Sequence, residues 1–352
     1  MKEEHHKAVK LLQDLIETSS FSEEEHETAA LIENWLKTDH NISTNRSKNN
    51  VWAVNKYFDA KKPTILLNSH HDTVKPNKGY TNDPFEAFIE GDKLYGLGSN
   101  DAGGCLVCLI TVFAHFYAQK DLKYNLVLAA TAEEESSGPN GLNSILEIIP
   151  EIELAIVGEP TEMHLAIAEK GLLVLDAHAH GIAGHAAHEN TENAIYNAIE
   201  DINWINTYSF PKVSDQLGKV KMSVTQVNAG QQHNLVPARC HFVIDVRVNE
   251  AYSNKEVFDI ISANTKSELK ARSFNLNSSS IHIDHPVVQA GISLGRKTYG
   301  SPTLSDQSVL NCTSLKLGPG VSSRSHSSNE YICLSEIEEG IKLYKQILSK
   351  IL

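Results

Sequence analysis

The feature that most constrains the fold of this chain is an alternation of short apolar runs with stretches of helical periodicity. The runs Thr64–Asn68, Asn125–Ala130 and Leu154–Val157 have the length and composition of buried strands. Helical patterns lie between them, near Cys105–Tyr117 and Leu142–Ile149. Strands that alternate with helices are typical of a parallel sheet covered by helices. The sequence therefore predicts an α/β fold built on these runs.

The pattern changes after Gly171 and returns after Pro286. At 352 residues the chain exceeds one ordinary core, so two domains are expected. The middle region groups strands with helices, which is typical of a separate α+β module. Its predicted elements are strands Leu172–Ala179, Lys219–Val227 and Cys240–Val248, and helices Ala194–Tyr208 and Lys255–Leu269. We predict one domain formed by residues 1–172 and 284–352, interrupted by a module at 173–283.

The regions outside this module contain further predicted elements. Leu11, Leu12 and Leu15 recur at helical spacing and indicate a first helix. Ser22 and Glu25 have the spacing of a capping box, so a second helix is expected to begin there. The predicted elements after Pro286 are helix Val287–Tyr299, strand Ser314–Leu317 and a closing helix from Ser335.

Composition restricts the classes of partner. The formal net charge of −13 disfavours nucleic acid and anionic membrane surfaces, which are bound through Lys and Arg. The N-terminus is charged where a secretory signal would be apolar, and no apolar run approaches the ~20 residues of a membrane span. The five cysteines are scattered, which indicates free thiols in a cytoplasmic protein. The pair Cys105 and Cys108 lacks a partner pair for a Cys₄ zinc site, so we expect buried packing residues.

Polar residues follow the predicted strands at their carboxyl ends, where open α/β sheets place their sites. Imidazoles and carboxylates are ligands that zinc accepts, and so many charges at one edge of a sheet require a cation. A Glu-Glu-Glu run is by itself more often a solvated surface, but this run directly follows an apolar strand. The residues in question are His70, His71, Asp72, Asp101, Glu133, Glu134, Glu135, Glu159 and His326.

The order of these motifs resembles the M20 family of metallopeptidases and deacylases over essentially the whole chain. Within the family the chain is most similar to the acetylornithine deacetylase branch, including forms that act on N-acylornithine or N-acylcitrulline. The resemblance implies a zinc-hydrolase domain with a helix-covered mixed sheet, interrupted by an α+β lid and dimerisation domain. The motifs are H-x-D at His70, G-x-x-D-x-G-G at Asp101, E-E at Glu134, G-E-P-T at Glu159 and S-H-x-x-N-E at His326.

The resemblance also implies a ligand set for two zinc ions, with Co²⁺ or Mn²⁺ as alternatives. His70 and Glu159 are expected to bind one ion. Glu135 and His326 are expected to bind the other, and Asp101 is expected to bridge both.

The resemblance assigns roles to the residues beside the ligands. Glu134 is expected to be the general base, and Asp72 is expected to orient the imidazole of His70. The family reads D-E-E-x-G where this chain has Glu133-Glu134-Glu135-Ser-Ser-Gly, so the choice of Glu134 and Glu135 rests on register. His71 lacks the H-x-D spacing and is expected at the edge of the pocket.

The inserted module carries further candidates. His185 matches a family histidine that reaches across a homodimer and stabilises the oxyanion, with simple packing in the lid as the alternative. Asn234 and Arg247 fit the family pattern N-x-x-P…D-x-R and are expected to bind the substrate carboxylate. Arg247 could instead pair with an acid of the lid. Arg324 is expected to help select the substrate or to lie on the rim.

The activity implied by the resemblance is hydrolysis of an N-acyl amide, acetyl or succinyl, of ornithine or citrulline in arginine biosynthesis. Two alternatives within the family are a di- or tripeptidase and a succinyl-diaminopimelate desuccinylase. A third alternative, from another class, is a non-catalytic binding protein on a hydrolase fold. The presence of all five ligand residues, the base and the lid histidine disfavours that third alternative.

Overall fold

The computed structural model describes residues 2–189 and 191–352. The chain divides into two compact units. Unit 1 comprises Met1–Ile167, Ser280–Tyr299 and Ser305–Leu352, and unit 2 comprises Ala168–Ser279 and Gly300–Leu304. The boundaries of the predicted module at 173–283 agree within five residues with those of the main segment of unit 2. The short segment Gly300–Leu304 was not predicted to belong to the module.

The bounds of the elements follow in chain order. The helices are α1 Lys2–Ile16, α2 His26–His40, α3 Gly104–Phe116, α4 Ala194–Thr207, α5 Asn254–Asn264, α6 Pro286–Ser293 and α7 Leu334–Ile351. The strands are β1 Asn45–Ser47, β2 Asn50–Val54, β3 Thr64–His70, β4 Phe88–Glu90, β5 Lys93–Tyr95, β6 Asn125–Thr131, β7 Leu154–Val157, β8 Leu165–Glu169, β9 Gly171–His180, β10 Gly184–His185, β11 Lys221–Ala229, β12 Leu235–Val236, β13 Arg239–Val248, β14 Glu268–Ala271, β15 Ser279–Ser280, β16 Thr298–Ser301, β17 Thr313–Lys316 and β18 Tyr331–Cys333.

The central sheet of unit 1 has the strand order β1-β2-β6-β3-β7-β17-β8, with β15 and β16 beside β8. Strand β3 is parallel to β6 and β7, and β17 is parallel to β7. Strand β2 pairs antiparallel with β6, and β17 pairs antiparallel with β8. Every residue of β3, β6 and β7 is buried, as near-continuous apolar runs require. The predicted α/β class with a mixed sheet is confirmed.

Helix α3 is the core helix of unit 1. It packs against α1, α7, β3 and β6, and its cysteines Cys105 and Cys108 are buried and free, as expected. By length and composition alone, Ser99–Phe116 is long and apolar enough to cross a membrane. Because 78% of that stretch is buried inside the chain, it has the character of a core helix.

The start of α2 differs from the prediction. The helix begins at His26, and the side chain of Glu25 makes no capping hydrogen bond at the described N-terminus of this helix. The hydroxyl of Ser22 donates instead to the carboxylate of Asp72 at 2.7 Å. The capping-box interpretation is therefore wrong, because a buried carboxylate elsewhere in the fold takes the serine hydroxyl.

Three predicted helices are shorter than their apolar periodicity suggested. Residues near Leu142–Ile149 form only a 3₁₀ turn and loop, which packs on the sheet through the buried Leu142 and Ile145. Helix α5 ends at Asn264, and the next apolar residues form the edge strand β14. Helix α6 ends before Gly295, which has a positive φ that terminates a helix.

Unit 2 contains an antiparallel sheet with the strand order β11-β13-β9-β14. Burial alternates along β9, so its odd-numbered residues face the apolar core and the even-numbered residues face outward. The helices α4 and α5 contribute Ala198, Val257 and Ile261 to that core. A separate ribbon of β10 and β12 pairs His185 with Leu235.

Candidate metal centre and active site

The ligand candidates of unit 1 lie where strands of the central sheet end. His70 is the last residue of β3, and Glu135 and Glu159 follow the neighbouring strands β6 and β7. Asp101 lies in the turn Ser99–Gly103 just before α3, and His326 follows the short turn after β17. Because the carboxyl ends of parallel strands meet at one edge, residues far apart in sequence converge there.

The first group of ligands consists of His70, Asp101 and Glu159. The Nε2 atom of His70 lies 3.4 Å from Oδ1 of Asp101 and 3.7 Å from Oε1 of Glu159. His70 is buried, and its Nε2 atom has no hydrogen-bond partner among the described residues. A buried imidazole nitrogen that faces carboxylate oxygens without bonding to them fits a metal ligand.

The second group consists of His326, Asp101 and Glu135. The Nε2 atom of His326 lies 3.6 Å from Oδ2 of Asp101 and 3.0 Å from Oε2 of Glu135. In each group the ligand atoms lie within 4.8 Å of one another. Since the two oxygens of Asp101 face different imidazoles, this donor set fits two divalent cations that share one carboxylate.

The electrostatics of these groups favour a cation. Burial alone would lower the pKa of His70, but the nearby carboxylates of Asp101 and Asp72 raise it well above its usual range. The carboxylate of Glu135 raises the pKa of His326 to about 9. Burial and the neighbouring charge of Glu159 raise the pKa of Glu134 well above its usual range, although His70 opposes this shift. Cations bound between these residues would supply positive charge that the side chains lack.

Glu134 and Asp72 lie beside the two groups of candidate ligands. Glu134 is outside both groups, with its Oε2 atom 4.0 Å from Nε2 of His70. The Nδ1 atom of His70 lies 3.0 Å from the carbonyl oxygen of Asp72 and 3.5 Å from its Oδ1. The Asp72 carboxylate also accepts the backbone N–H groups of Glu134 and Glu135, each at 3.1 Å. Asp72 therefore contacts His70 and also the backbone of the segment that carries Glu134 and Glu135.

His71 is buried and lies outside both ligand groups. Its Nδ1 atom lies 2.9 Å from the hydroxyl of Thr28, and its Nε2 atom lies 2.9 Å from the carbonyl oxygen of Asn49. Burial lowers its pKa to about 4, which keeps the imidazole neutral. Successive residues at a strand end point to opposite sides, so His71 faces the core where His70 faces the site.

Glu330 is a buried residue of the site that sequence reasoning missed. Its carboxylate accepts the backbone N–H groups of Gly98, Asn100 and Asp101 at 3.2, 2.8 and 2.9 Å. It thereby holds the turn that carries the shared ligand Asp101. Burial raises its pKa to about 8. The available signal was its position as the last residue of the S-H-x-x-N-E motif.

The family of the chain follows from a comparison with known families. Residues 66–350 match peptidase family M20/M25/M40, which is well over half of the chain. The chain belongs to this family. The two groups of candidate ligands in this M20 chain could each hold a metal ion.

Relatives of this M20 chain have different substrates. Acetylornithine deacetylase of Proteus mirabilis is 27% identical over 97% of this chain and 95% of its own length. Succinyl-diaminopimelate desuccinylase of Gluconobacter oxydans is 26% identical over 54% of this chain and 53% of its own length. A dinuclear metal-binding peptidase of Bacillus subtilis has the same fold, with a TM-score of 0.74, 16% identity and coverage of 99% and 98%.

Three candidates of the M20 chain lie in unit 2. His185 and Asn234 are exposed neighbours on the β10–β12 ribbon, where the N–H of Ala186 donates to the Asn234 carbonyl at 3.0 Å. The guanidinium of Arg247 donates to both carboxylate oxygens of Asp245, at 2.9 and 3.0 Å. The lid ribbon thus brings His185 and Asn234 together, and Arg247 makes the ion pair with a lid acid that was its alternative role.

The remaining candidate, Arg324, has partners within unit 1. Its Nη1 atom donates to Glu336 at 2.7 Å, and its guanidinium lies over the ring of Tyr331 at 4.4 Å. These contacts compensate its charge and restrain its direction. A substrate carboxylate would compete with Glu336 for the charge of Arg324.

Proposed function

We propose that this M20 protein is a metal-dependent amidohydrolase that removes an N-acyl group from ornithine or citrulline. The observation that carries the proposal is the pair of ligand groups joined by Asp101, with the separate carboxylate of Glu134 beside them. The similarity to an acetylornithine deacetylase along almost the whole chain supports the choice of substrate. We further propose that the protein is cytoplasmic and acts in arginine biosynthesis.

The proposed metal site uses His70 and Glu159 for one ion, Glu135 and His326 for the other, and Asp101 for both. We propose Zn²⁺, with Co²⁺ or Mn²⁺ as alternatives, because imidazole and carboxylate donors suit these ions. Bound cations would supply Lewis-acid polarisation of the amide carbonyl and of water.

Glu134 is the proposed general base and acid. Its carboxylate takes a proton from water while the water oxygen bonds to the amide carbonyl carbon. The C–N bond then breaks, and the same proton passes from Glu134 to the leaving nitrogen. The products are an amine and a carboxylic acid, and the acid then loses its proton to the amine or to solvent. The carboxyl group of Glu134 holds the proton between the two steps.

The proposed substrate contacts outside the metal site come from unit 2. Asp245 uses two of the five N–H groups of Arg247, so three N–H groups remain available for an α-carboxylate. Asn234 is proposed to assist through its amide. His185 is proposed to donate to the oxyanion in the active site of a second copy in a homodimer.

A second candidate function is the desuccinylase activity of the Gluconobacter oxydans relative. A succinyl-diaminopimelate substrate carries additional carboxylates, which the net charge of −13 disfavours. Arg324 could offset a succinyl tail, but Glu336 already pairs with it. These charges favour a substrate whose side chain is a neutral ureido group or an ammonium.

The test is a hydrolysis panel with one metal-loaded preparation. It should contain N-acetyl and N-succinyl derivatives of ornithine, citrulline and lysine, succinyl-diaminopimelate and several dipeptides. We expect kcat/KM for N-acylornithine or N-acylcitrulline to exceed that for desuccinylase and dipeptide substrates by at least about tenfold, or roughly 1.4 kcal/mol. Chelated protein and the Glu134→Gln variant serve as controls. A panel in which dipeptides are the best substrates would reject the proposal.

A further inference from the structure

Two buried carboxylates bind three successive backbone N–H groups of the segment Glu133–Glu135. The N–H of Glu133 donates to Oε1 of Glu25 at 3.1 Å. The N–H groups of Glu134 and Glu135 donate to Oδ1 and Oδ2 of Asp72, each at 3.1 Å. Each N–H of the segment therefore has a charged acceptor, although Glu25 lies 108 residues away in sequence.

Burial and two further hydrogen bonds hold the carboxylate of Glu25 in this position. The residue is fully buried in the turn between α1 and α2, and its carboxylate also accepts the N–H of Glu23 at 2.7 Å and the side-chain amide of Asn49 at 2.8 Å. An ionised carboxylate is tolerated in the interior only when hydrogen bonds replace its water. All three partners donate an N–H, so a carboxylate fits this position and a hydrogen-bond donor does not.

Glu133 adopts a conformation that its surroundings must hold. Its φ is +54°, in the left-handed region of backbone conformation that residues with a Cβ atom rarely adopt. Its side chain accepts the backbone N–H and the side-chain amide of Asn140 at 2.9 and 2.7 Å. Glu25 and Asn140 therefore hold Glu133 on its backbone and on its side chain, directly before Glu134.

We propose that Glu25 is a positioning residue for Glu134. It fixes the backbone immediately before the base, while Asp72 fixes the backbone of the base itself. Ser22 extends the arrangement by donating to Asp72 at 2.7 Å. The turn between α1 and α2 is thus a support for the catalytic segment. The inference rests on the proposed function, because it takes Glu134 as the general base.

The first test compares Glu25→Gln with Glu24→Gln, an exposed neighbour in the same turn. The amide nitrogen of a glutamine side chain can only donate, so in Glu25→Gln at least one of the three N–H partners loses its acceptor. Because a small misplacement of a catalytic group can cost about 10²-fold in rate, we expect Glu25→Gln to lower kcat by about 10- to 100-fold. KM should stay within about twofold, and the metal content should match that of the wild type. Glu24→Gln should match the wild type in all three.

The second test measures coupling with Glu134. In a Glu134→Gln background, Glu25→Gln should cause no further loss, because a positioning residue has no effect once the group it positions is gone. An equal fold loss in both backgrounds, or loss of metal in parallel with activity, would overturn the proposal in favour of general structural support. If Glu25→Gln does not fold, Glu25→Asp keeps the charge and is subjected to the same comparisons.

A third measurement is independent of turnover. Hydrogen–deuterium exchange of a peptide covering residues 131–137 should be faster in Glu25→Gln than in Glu24→Gln, with exchange elsewhere unchanged. A wild type that hydrolyses none of the panel, together with faster exchange in Glu25→Gln, would reject the proposed function alone. An active wild type with unchanged exchange and kcat in Glu25→Gln would reject the positioning role alone.

Discussion

Asp101 links the two ligand groups through a single side chain. Its Oδ1 atom faces His70 and its Oδ2 atom faces His326. Burial alone would raise the pKa of Asp101, but the nearby imidazole of His70 lowers it below its usual value. Asp101 is therefore held as a carboxylate, and the Glu330 contacts fix the turn on which it lies.

Two adjacent glutamates occupy different positions in the site. Glu135 belongs to a ligand group and Glu134 does not. We expect Glu134→Gln to retain two metal ions per chain and to lose about 10²–10⁴-fold in kcat, the range for a general acid–base group. Glu135→Gln should lose one ion on mild dialysis. Elemental analysis and initial rates measure both effects. If the two phenotypes are exchanged, the register through Glu133–Glu135 is wrong by one residue.

The pKa of His326 predicts a pH dependence of metal binding. Glu135 raises that pKa to about 9 in the metal-free protein, so the imidazole is protonated at neutral pH. A cation must displace this proton, and its apparent affinity should therefore fall by about tenfold for each pH unit below 9 and level off above it. Competition with a chelating indicator between pH 6.5 and 9.5 measures the slope. A constant affinity across that range would contradict the predicted proton displacement.

At the scale of elements, two glycines at strand ends allow close packing of α3 against the strand ends that carry the site. Gly318 follows β17, and a Cβ atom there would lie 2.6 Å from the carbonyl oxygen of Glu159 and 2.6 Å from the Sγ of Cys105. A Cβ atom at Gly158 would meet Leu109 Cδ1 at 2.7 Å. The first contact involves the backbone of a ligand, and the second involves the tip of a side chain.

These contacts predict different results for two matched substitutions. Gly318→Ala and Gly158→Ala should each destabilise the fold by about 1–3 kcal/mol, the range for overpacking. Only Gly318→Ala should also weaken metal retention, because it displaces the backbone of Glu159. Urea unfolding of the chelated variants and metal content after dialysis measure the two effects. Full metal retention in Gly318→Ala, with its unfolding midpoint unchanged, would contradict the predicted displacement.

The elements that could be predicted are those with a strong local signal. The predictions of β3, β6, β7 and α1 were correct. Burial on both faces of a strand gives a continuous apolar run, and burial of one face of a helix gives an apolar stripe, and both patterns are visible in the sequence. The short strands β4, β5 and β18 were missed because three residues carry little pattern. The role of Glu25 could not be predicted, since its spacing to Ser22 also satisfies a capping box and its true partner is remote in sequence.

At the scale of the whole molecule, the two units differ in what they contribute. Unit 1 carries both groups of candidate ligands and Glu134, and unit 2 carries His185, Asn234 and Arg247. Unit 2 also exposes large apolar side chains, including Tyr196 and Ile199, which lie on the same face of α4 and are 67% and 46% exposed. Exposed apolar groups that lie together are typical of an interaction surface, which supports the proposed homodimer through unit 2.

A homodimer in which His185 serves the active site of the second copy makes a specific prediction. His185→Ala alone should lower kcat by about 10²–10³-fold, the range for one oxyanion donor.

Mixing His185→Ala with Glu134→Gln and exchanging subunits should restore activity, because one site of each heterodimer then combines Glu134 from one chain with His185 from the other. With equal amounts and random pairing, half of the dimers are heterodimers with one working site of two, so about a quarter of the wild-type activity is expected. Two different affinity tags and native mass spectrometry establish that heterodimers form. Heterodimers without recovered activity would mean that His185 acts on its own chain, because each site of the heterodimer would then lack either Glu134 or His185. Full activity of His185→Ala alone would mean that His185 has no role in turnover.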